Sequence, residues 1–410
     1  MMRKRLLILI GLLCCMCIHA QIIFNHLSSP DQLSNYSVMS IYQDERGFLW
    51  IGTQRGLNLY DGRYIKTFTV KVDSKNSIHD NIITKVSGDD KGHVFAFSAN
   101  GIDKIDIRTE QITQLVSGPT SAMAFVNGIL YYAIGNRIFT LDKSKKIKLI
   151  YTLPSTLSAH SLTIGENRII IGTDKDGLFL YDTKYKQSRH LLNGLFIETI
   201  YIDKKGSIWI GTQRHGYYIY SNDKLVQGTT LGKDNDVRVF CEDNVGNMWI
   251  GTMNGLYQRD KQGELHVYTA NGQKDGLSHN SVWSLLKDKQ GNIWVGSCFG
   301  GIDFFNPENH LFKHYKNIVG NTTTQPVVGE MVEDKHQNLW ISTDGNGLNC
   351  LNRYTGVFSN ISTANGLGHN NVRSLWYDTK NDLLYIGMHM GGMDCLNISN
   401  RQLKHCLTSP

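Results

Sequence analysis

From Ser37 onward the chain alternates apolar and polar positions in short runs, and the same alternation keeps returning. Ser37–Asp61 reads SVMSIYQDERGFLWIGTQRGLNLYD, and Phe196–Tyr220 reads FIETIYIDKKGSIWIGTQRHGYYIY. Asp236–Asp260 and Ser281–Phe305 are further copies, as are the stretches starting at Val327 and Asn371. Weaker copies begin at Ile82, Ser121 and Ser161. Aligned on one position, the series runs Trp50, Phe95, Tyr131, Ile170, Trp209, Trp249, Trp294, Trp340 and Tyr385, at intervals of 45, 36, 39, 39, 40, 45, 46 and 45 residues. A recurring period of this size marks a repeat architecture.

Each copy predicts strands and no amphipathic helix. A first run, V-x-x-I-x-x-D, reaches D-x-x-G at Asp44–Gly47, Asp203–Gly206, Asp243–Gly246 and Asp288–Gly291. There aspartate caps the turn and glycine accepts the left-handed backbone that re-enters the sheet. A second strand (L-W-I-G-T), a short loop, a third strand (G-L-x-L-Y-D) and a fourth, such as Ile65–Val70 or Glu264–Tyr268, complete the unit. Four antiparallel strands per repeat make one blade of an all-β β-propeller. Hairpin turns inside every repeat argue against a parallel β-helix.

Asp31–Val38 (DQLSNYSV) aligns with Asp275–Val282 (DGLSHNSV) and Asn365–Val372 (NGLGHNNV). Ile22–Leu27 therefore occupies the place of an outer strand before any blade has begun, and such a strand can complete the last blade and hide both edges. The expectation is a seven-bladed ring over residues 21–310, closed by that N-terminal strand. Residues 311–410, starting with a strand at Leu311–Tyr315, would be a partial second propeller of two blades. In a single ring of eight or nine blades, the strand Gln402–Cys406 would compete with Ile22–Leu27.

Composition adds to this picture at the N-terminus. Arg3-Lys4-Arg5 precedes an almost unbroken apolar run, Leu6–Ile18, which ends at His19-Ala20. That is the form of a signal peptide over residues 1–20, and it predicts export to the periplasm. No small residue precedes Cys14, Cys15 or Cys17, which disfavours a lipoprotein. Removing the three basic residues takes the formal charge from +6 to +3. No basic run interleaved with aromatics follows, so nucleic acid is not an expected partner. No second apolar stretch long enough to span a membrane follows either. Cys241, Cys298, Cys350, Cys395 and Cys406 remain, odd in number and widely spaced, and they do not read as a disulfide framework.

The signature D-x-x-G-x-L-W-I-G-T-x-x-G-L-x-x-Y-D, carried by Asp44–Asp61 and again around Trp209, Trp249 and Trp294, resembles the two-component regulator propeller repeat. The resemblance implies the periplasmic region of a hybrid two-component sensor, with a glycan-derived oligosaccharide as ligand and output through a kinase outside these 410 residues. It further implies a homodimer in a full-length sensor and membrane attachment only through parts C-terminal to this chain. The chain departs from the pattern in repeats two to four, which lack the tryptophan. Gln337 replaces the turn glycine in the eighth repeat and Asn381 in the ninth; asparagine tolerates that backbone and glutamine does so poorly.

Trp50, Trp209, Trp249, Trp294 and Trp340 share one blade position and read as inter-blade packing, not as a sugar platform. No H-E-x-x-H, C-x-x-C, G-x-S-x-G or P-loop is present, so no catalytic residue, metal or cofactor is expected. His310 and His314 would sit too far apart on a strand to share one metal. Asp174-x-Asp176-Gly is a fragment of a calcium loop and reads as a plain turn. Cys350 and Cys395, at equivalent places in neighbouring blades, are expected free and buried. Ligand contacts are expected on the face formed by the loops between strands two and three and by the blade-to-blade connections. Its candidates are Gln54, Arg55, Gln213, Arg214, His215, Asn254, Phe299, Asp344, Asn346 and His389, whose amide, guanidinium, imidazole and aromatic groups suit a neutral or acidic sugar. The competing functions are a propeller lyase or glycosidase, similar to streptogramin lyases, and a protein-interaction scaffold.

Overall fold

The computed structural model describes residues 22–27, 32–72, 74, 76–142, 144, 146–232, 236–273, 275–308 and 327–407. The signal segment 1–20, the strand expected at Leu311–Tyr315, and His310 and His314 lie outside the described residues. Among the described residues the propeller fold is all-β and comprises nine four-stranded antiparallel sheets, seven in one unit and two in another. A single 3-10 turn, Thr363–Asn365, is the helical element among the described residues. The chain divides into two compact units, Met1–His310 and Leu311–Pro410.

In the first unit, blade 1 consists of Val38–Gln43, Leu49–Thr53, Gly56–Tyr60 and Ile65–Phe68. Blades 2 to 6 repeat this order over 85–117, 122–152, 159–191, 197–227 and 237–268. Blade 7 takes three strands from Val282–Lys287, Ile293–Ser297 and Ile302–Phe305. Its outer strand is Asn25–His26, antiparallel to Ile302–Phe305, with Asn25 opposite Phe304 and His26 opposite Asp303. First strands of successive blades lie side by side, and the first strand of blade 7 lies beside that of blade 1. The seven first strands therefore form the inner wall of a closed ring.

Side chains at the tryptophan position hold each sheet to the next. Trp50 packs on Ile83, Val86 and Val94 of blade 2, and Trp209 on Val237, Phe240 and Ile250 of blade 6. Trp249 packs on Val282, Ile293 and Val295 of blade 7, and Trp294 on Val38, Leu49 and Ile51 of blade 1. The glycine of W-I-G-T serves the same contact. A Cβ added at Gly52, Gly211, Gly251 or Gly296 would stand within 2.8 Å of Ile83, Val237, Val282 or Val38 of the following blade. Only a glycine lets the neighbouring first strand come this close.

The repeat's aspartate does more than close its turn. One oxygen of Asp44, Asp203, Asp243, Asp288 and Asp334 accepts backbone N–H groups of the turn. The other accepts the indole N–H six residues on, at 3.0, 2.9, 3.1, 2.8 and 2.8 Å for Trp50, Trp209, Trp249, Trp294 and Trp340. A buried indole needs such an acceptor. In blade 2, where Phe95 replaces the indole, the ring of His93 meets the second oxygen of Asp89 at 2.7 Å.

The second unit contains blade 8 (Val327–Glu333, Asn338–Asp344, Leu348–Asn352, Phe358–Ile361) and blade 9 (Val372–Asp378, Leu383–Met388, Met393–Asn397, Leu403–Leu407). They pack together through Trp340, Leu348, Leu375, Leu384 and Ile386. Gln337 holds the left-handed position of the blade 8 turn at φ 64°. In blade 9 the left-handed residue is Asp382 (φ 57°), not Asn381, because this turn is one residue longer and Asp378 pairs with Leu383. Asp382 is buried, accepts the Tyr377 hydroxyl at 2.7 Å and the Ser399 hydroxyl, and has Lys335 at 3.3 Å. Cys350 is buried as expected, but Cys395 is only half-buried. It lies in register with Tyr385, which pairs with Trp376, and Trp376 is 62% exposed on that same sheet face.

Candidate functional site

The candidate face of the first unit begins with the loops between strands two and three. In blades 1 and 6 this loop is a two-residue turn, placing Gln54, Arg55 and Asn254 at exposed positions. Blades 5 and 7 use a longer loop closed by Thr212 N–H to Gly216 O and Ser297 N–H to Gly301 O, each at 3.0 Å. Its third residue is left-handed: Arg214 at φ 67° and Phe299 at φ 69°, where blade 8 has Gly345 at φ 87°. Bulky side chains on such backbone are strained by roughly 1–2 kcal/mol, and both project outward, Phe299 being 73% exposed. Gln213 and His215 flank Arg214 and are exposed as well. These six residues and Asn254 thus fall on blades 5, 6, 7 and 1, four consecutive blades of the ring.

Asp344, Asn346 and His389 occupy the matching loops of the second unit. His389 is exposed, Asp344 pairs with Arg373 at 3.0 Å, and Asn346 is buried and therefore turned away from solvent. The buried asparagine follows from its place between two left-handed glycines, Gly345 and Gly347. Asp174 and Asp176 act in turns: their carboxylates accept Ser158 N–H at 3.1 Å and Gly194 N–H at 2.8 Å.

A second layer of the face comes from the inner strands. The register skips one residue at Met39, His160, Glu198, Arg238 and Trp283, at the same place in five first strands. Such bulges re-aim a side chain. Here they bring neighbouring blades into contact: His160 Nε2 lies 3.8 Å from Glu198 Oε2, and the Arg238 guanidinium lies 4.9 Å above the Trp283 ring. These two contacts join blade 4 to blade 5 and blade 6 to blade 7 through their first strands. Farther round the wall, Lys85 Nζ donates to the Met123 carbonyl at 2.8 Å. The residue is exposed as a whole, but the protein around the ammonium desolvates it and draws it down to about 8.

Trp283 is also fixed from below. Its indole N–H donates to Ser281 Oγ at 3.0 Å, and that hydroxyl reaches Met253 Sδ at 3.5 Å. Ser281 N–H donates to His279 Nδ1 at 3.1 Å, which leaves the proton of a neutral ring on Nε2. The His279 ring stands edge-on to Phe299, centroids 6.2 Å apart. On the other side of the same loop Gly301 N–H donates to Tyr36 O at 3.0 Å, and Tyr36 is 51% exposed. Blade 7 and its neighbouring connections thus carry Tyr36, His279, Trp283 and Phe299, with His279 against Phe299 and Arg238 of blade 6 over Trp283. Arg55, Arg214 and Arg238 make no side-chain ion pair among the described residues.

The connections carrying Tyr36 and His279 are pinned by a buried polar residue on strand three. Asn58 Oδ1 accepts Ser34 N–H at 3.0 Å, and Asp303 Oδ2 accepts Ser278 N–H at 2.8 Å. Asp103 and Asp394 do the same for His79 and Gly368. Asp303 also meets His26 Nδ1 at 2.6 Å and Ser278 Oγ at 2.5 Å, while Ser278 Oγ lies 2.9 Å from the same His26 Nδ1. A nucleophile relay needs the hydroxyl and the carboxylate on opposite ring nitrogens, so this trio is a clamp on the closing strand.

Two other features lie off this face. A concavity of about 270 Å³ at the seam of blades 7 and 1 is lined by Gln43, Asp61, Asp288, Gln290 and Asn292 on the turn side, where Asp288 is already committed to its turn and to Trp294. Asp260, Glu264 and His266 bring donor atoms within 4.8 Å of one another at a blade 6 turn. Asp260 Oδ1 there accepts Glu264 N–H at 2.8 Å, and the Arg259 guanidinium stands beside the same turn, opposing a cation.

The family model for the two-component regulator propeller matches residues 32–55, 191–214, 232–254 and 276–298, the cores of blades 1, 5, 6 and 7. These are two-component regulator propeller repeats. Among solved structures, one similar to this chain is the extracellular domain of a protein described as a hybrid two-component system from B. thetaiotaomicron. It has a TM-score of 0.64 and 23% identity over 95% of this chain and 55% of that one. A second, described as a one-component system from the same organism, gives 0.59 and 21% over 92% of this chain and 59% of that one. The chain therefore spans little more than half the length of those two structures. A streptogramin B lyase structure gives 0.57 and 13% over 69% of this chain and 98% of that one. No curated protein matches the sequence. Among the described residues no helix is long and apolar enough to cross a membrane.

Proposed function

We propose that this chain is the ligand-sensing propeller region of a hybrid two-component sensor, exported to the periplasm and binding a glycan-derived oligosaccharide on the loop face of blades 5, 6, 7 and 1. The observation that carries the reading is the concentration there of aromatic faces (Tyr36, Trp283, Phe299) beside guanidinium groups without ion-pair partners (Arg55, Arg214, Arg238). Sugar rings stack on the former, and hydroxyls or carboxylates accept from the latter. The regulator-propeller repeats supply the sensor context, and a kinase outside these residues would supply the output. A bound ligand would act by favouring one arrangement of the domains over another, to the extent of its differential affinity. Membrane attachment and dimer formation would belong to that larger protein.

Calorimetric titration of neutral and uronic-acid-bearing oligosaccharides against the full chain tests this. Trp283→Ala and Arg238→Ala should each weaken binding about tenfold or more, the arginine change most for acidic sugars. Folded variants that bind every sugar as the parent does would discard this face.

A further inference from the structure

Five cysteines occur among the described residues, and they fall into two environments. Cys241, Cys298 and Cys350 are buried in the blades, and burial pushes the Cys241 thiol up to about 12. Such thiols are inert. Cys395 is half-buried and Cys406 exposed, and they lie on adjacent antiparallel strands of blade 9.

The register explains how they meet. Cys395 is opposite Lys404 and Asp394 opposite His405, but Met393 is opposite Leu407. Cys406 is thus the extra residue of a bulge beside the Cys395–Lys404 pair. Its thiol donates to the Lys404 carbonyl at 3.8 Å, and it stands close enough to Cys395 to help push that thiol's pKa up. Neighbouring strands run about 4.7–4.9 Å apart, and an unpaired bulge residue is free of the ladder, so the offset between Cys406 and the Cys395–Lys404 pair is one that the Cα range of a disulfide, up to about 7 Å, can take up. We propose that Cys395 and Cys406 form a cross-strand disulfide that staples the outer strand of blade 9 to its third strand, a redox-sensitive site at the sheet edge.

The reaction is thiol–disulfide exchange with a disulfide oxidant, either a small-molecule disulfide or an oxidised dithiol protein. Cys406, the exposed partner, attacks first as its thiolate and releases one thiolate of the oxidant, forming a mixed disulfide. Cys395 then loses its proton to water, attacks the Cys406 sulfur and expels the second thiolate. Two protons and two electrons leave the pair, and the oxidant's disulfide becomes two thiols. Burial and the neighbouring thiol keep Cys395 protonated until that second step, while the Lys404 ammonium opposite it favours its thiolate.

The test uses the full chain, fully reduced and then equilibrated in a glutathione redox buffer. Free thiols are alkylated in the folded state and peptides mapped by mass spectrometry. The expected product links the Cys395 and Cys406 peptides and weighs two hydrogens less than the reduced pair. Cys241, Cys298 and Cys350 should be alkylated only after denaturation. Cys395→Ser should leave Cys406 carrying glutathione or the alkylating agent. A chain in which both thiols are alkylated after oxidation overturns the proposal, as does a Cys406–glutathione adduct that persists with Cys395 present. Slower proteolytic removal of Leu403–Leu407 in the oxidised form, reversed by reductant and absent in Cys406→Ser, would show the staple at work.

Discussion

The aspartate–indole clasp predicts a measurable coupling inside blade 6. Asp243 is fully buried and accepts four hydrogen bonds: Gly246 N–H and Asn247 N–H at 2.8 Å, Asn247 Nδ2 at 2.9 Å and Trp249 Nε1 at 3.1 Å. In Asp243→Asn the amide oxygen can serve only the turn or the indole. If it keeps the turn, the new NH2 faces two other donors. The Asn247 amide can turn to solvent, but Trp249 is fully buried and its N–H cannot. The substitution should therefore cost about 2–3 kcal/mol, most of it the stranded indole donor. Trp249→Phe removes that donor along with part of the ring, at a cost of about 1–3 kcal/mol.

The double variant separates the clasp from simple packing. With the indole gone, Asp243→Asn strands no buried donor, so the pair should lose about 1–2 kcal/mol less than the two single costs added together. Equilibrium urea unfolding of the seven-bladed unit, followed by far-ultraviolet circular dichroism, gives all four stabilities. Additive costs, agreeing within about 0.5 kcal/mol, would refute the clasp and leave Asp243 as a turn cap alone.

Two further outcomes follow from other parts of the chain. Phe24, buried against Phe305 at 5.1 Å and Tyr268 at 6.0 Å, carries the N-terminal segment into blade 7. Phe24→Ala should destabilise the first unit by about 3–5 kcal/mol, and an unchanged urea midpoint would show that the closing strand contributes little. In the second unit, the Tyr377 and Ser399 hydroxyls and Lys335 draw Asp382 down to about 2, overcoming the opposing effect of its burial. His336 Nε2 also faces it at 3.6 Å. A carboxylate whose folded pKa is depressed contributes stability that is present above its unfolded value, near 3.9, and is lost as pH falls through about 2. Acid titration of the second unit should therefore show a loss of stability between about pH 4 and pH 2 that Asp382→Asn flattens, and an unchanged slope in the variant would remove Asp382 from the acid response.

Strand order and blade type were legible because a blade is local: four strands and three turns are written in each repeat. What escaped the sequence was mostly whatever one blade does to another. The glycine of W-I-G-T carries no mark of its role in the repeat itself, because that role is set by Val237 and Val282 of the next blade crowding Gly211 and Gly251. The aspartate of D-x-x-G was read as a turn cap, which is half of its role, because its indole partner meets it only across a hairpin. The bulges left no signal in the alternation, since one extra residue after the first valine is indistinguishable from an ordinary polar position. Arg238 and Trp283 were missed for that reason, although a tryptophan off the blade position was a visible clue. In blade 9 an extra turn residue moved the left-handed position from Asn381 to Asp382. The half-exposure of Cys395 could not be read from its blade-equivalence to Cys350.

The matches to the repeat model and the candidate face coincide, and the coincidence has a physical basis. Blades 1, 5, 6 and 7 carry Trp50, Trp209, Trp249 and Trp294 with their aspartate acceptors, whereas blades 2, 3 and 4 place Phe95, Tyr131 and Ile170 there. Indole packing and the clasp stiffen four consecutive blades, and over that arc stand Arg214 and Phe299 on left-handed backbone, with Arg238 and Trp283 on bulges. Strained loops and bulges keep their geometry only when the scaffold beneath over-determines it. A rigid base also lowers the ordering cost of binding, because the contact groups are already held in place. Blade 4 shows that a bulge alone, at His160, does not need the indole. It is the combination of bulge and left-handed loop residue, at Glu198 with Arg214 and at Trp283 with Phe299, that stands on blades with the complete signature, and this physical link ties the repeat to the proposed ligand face.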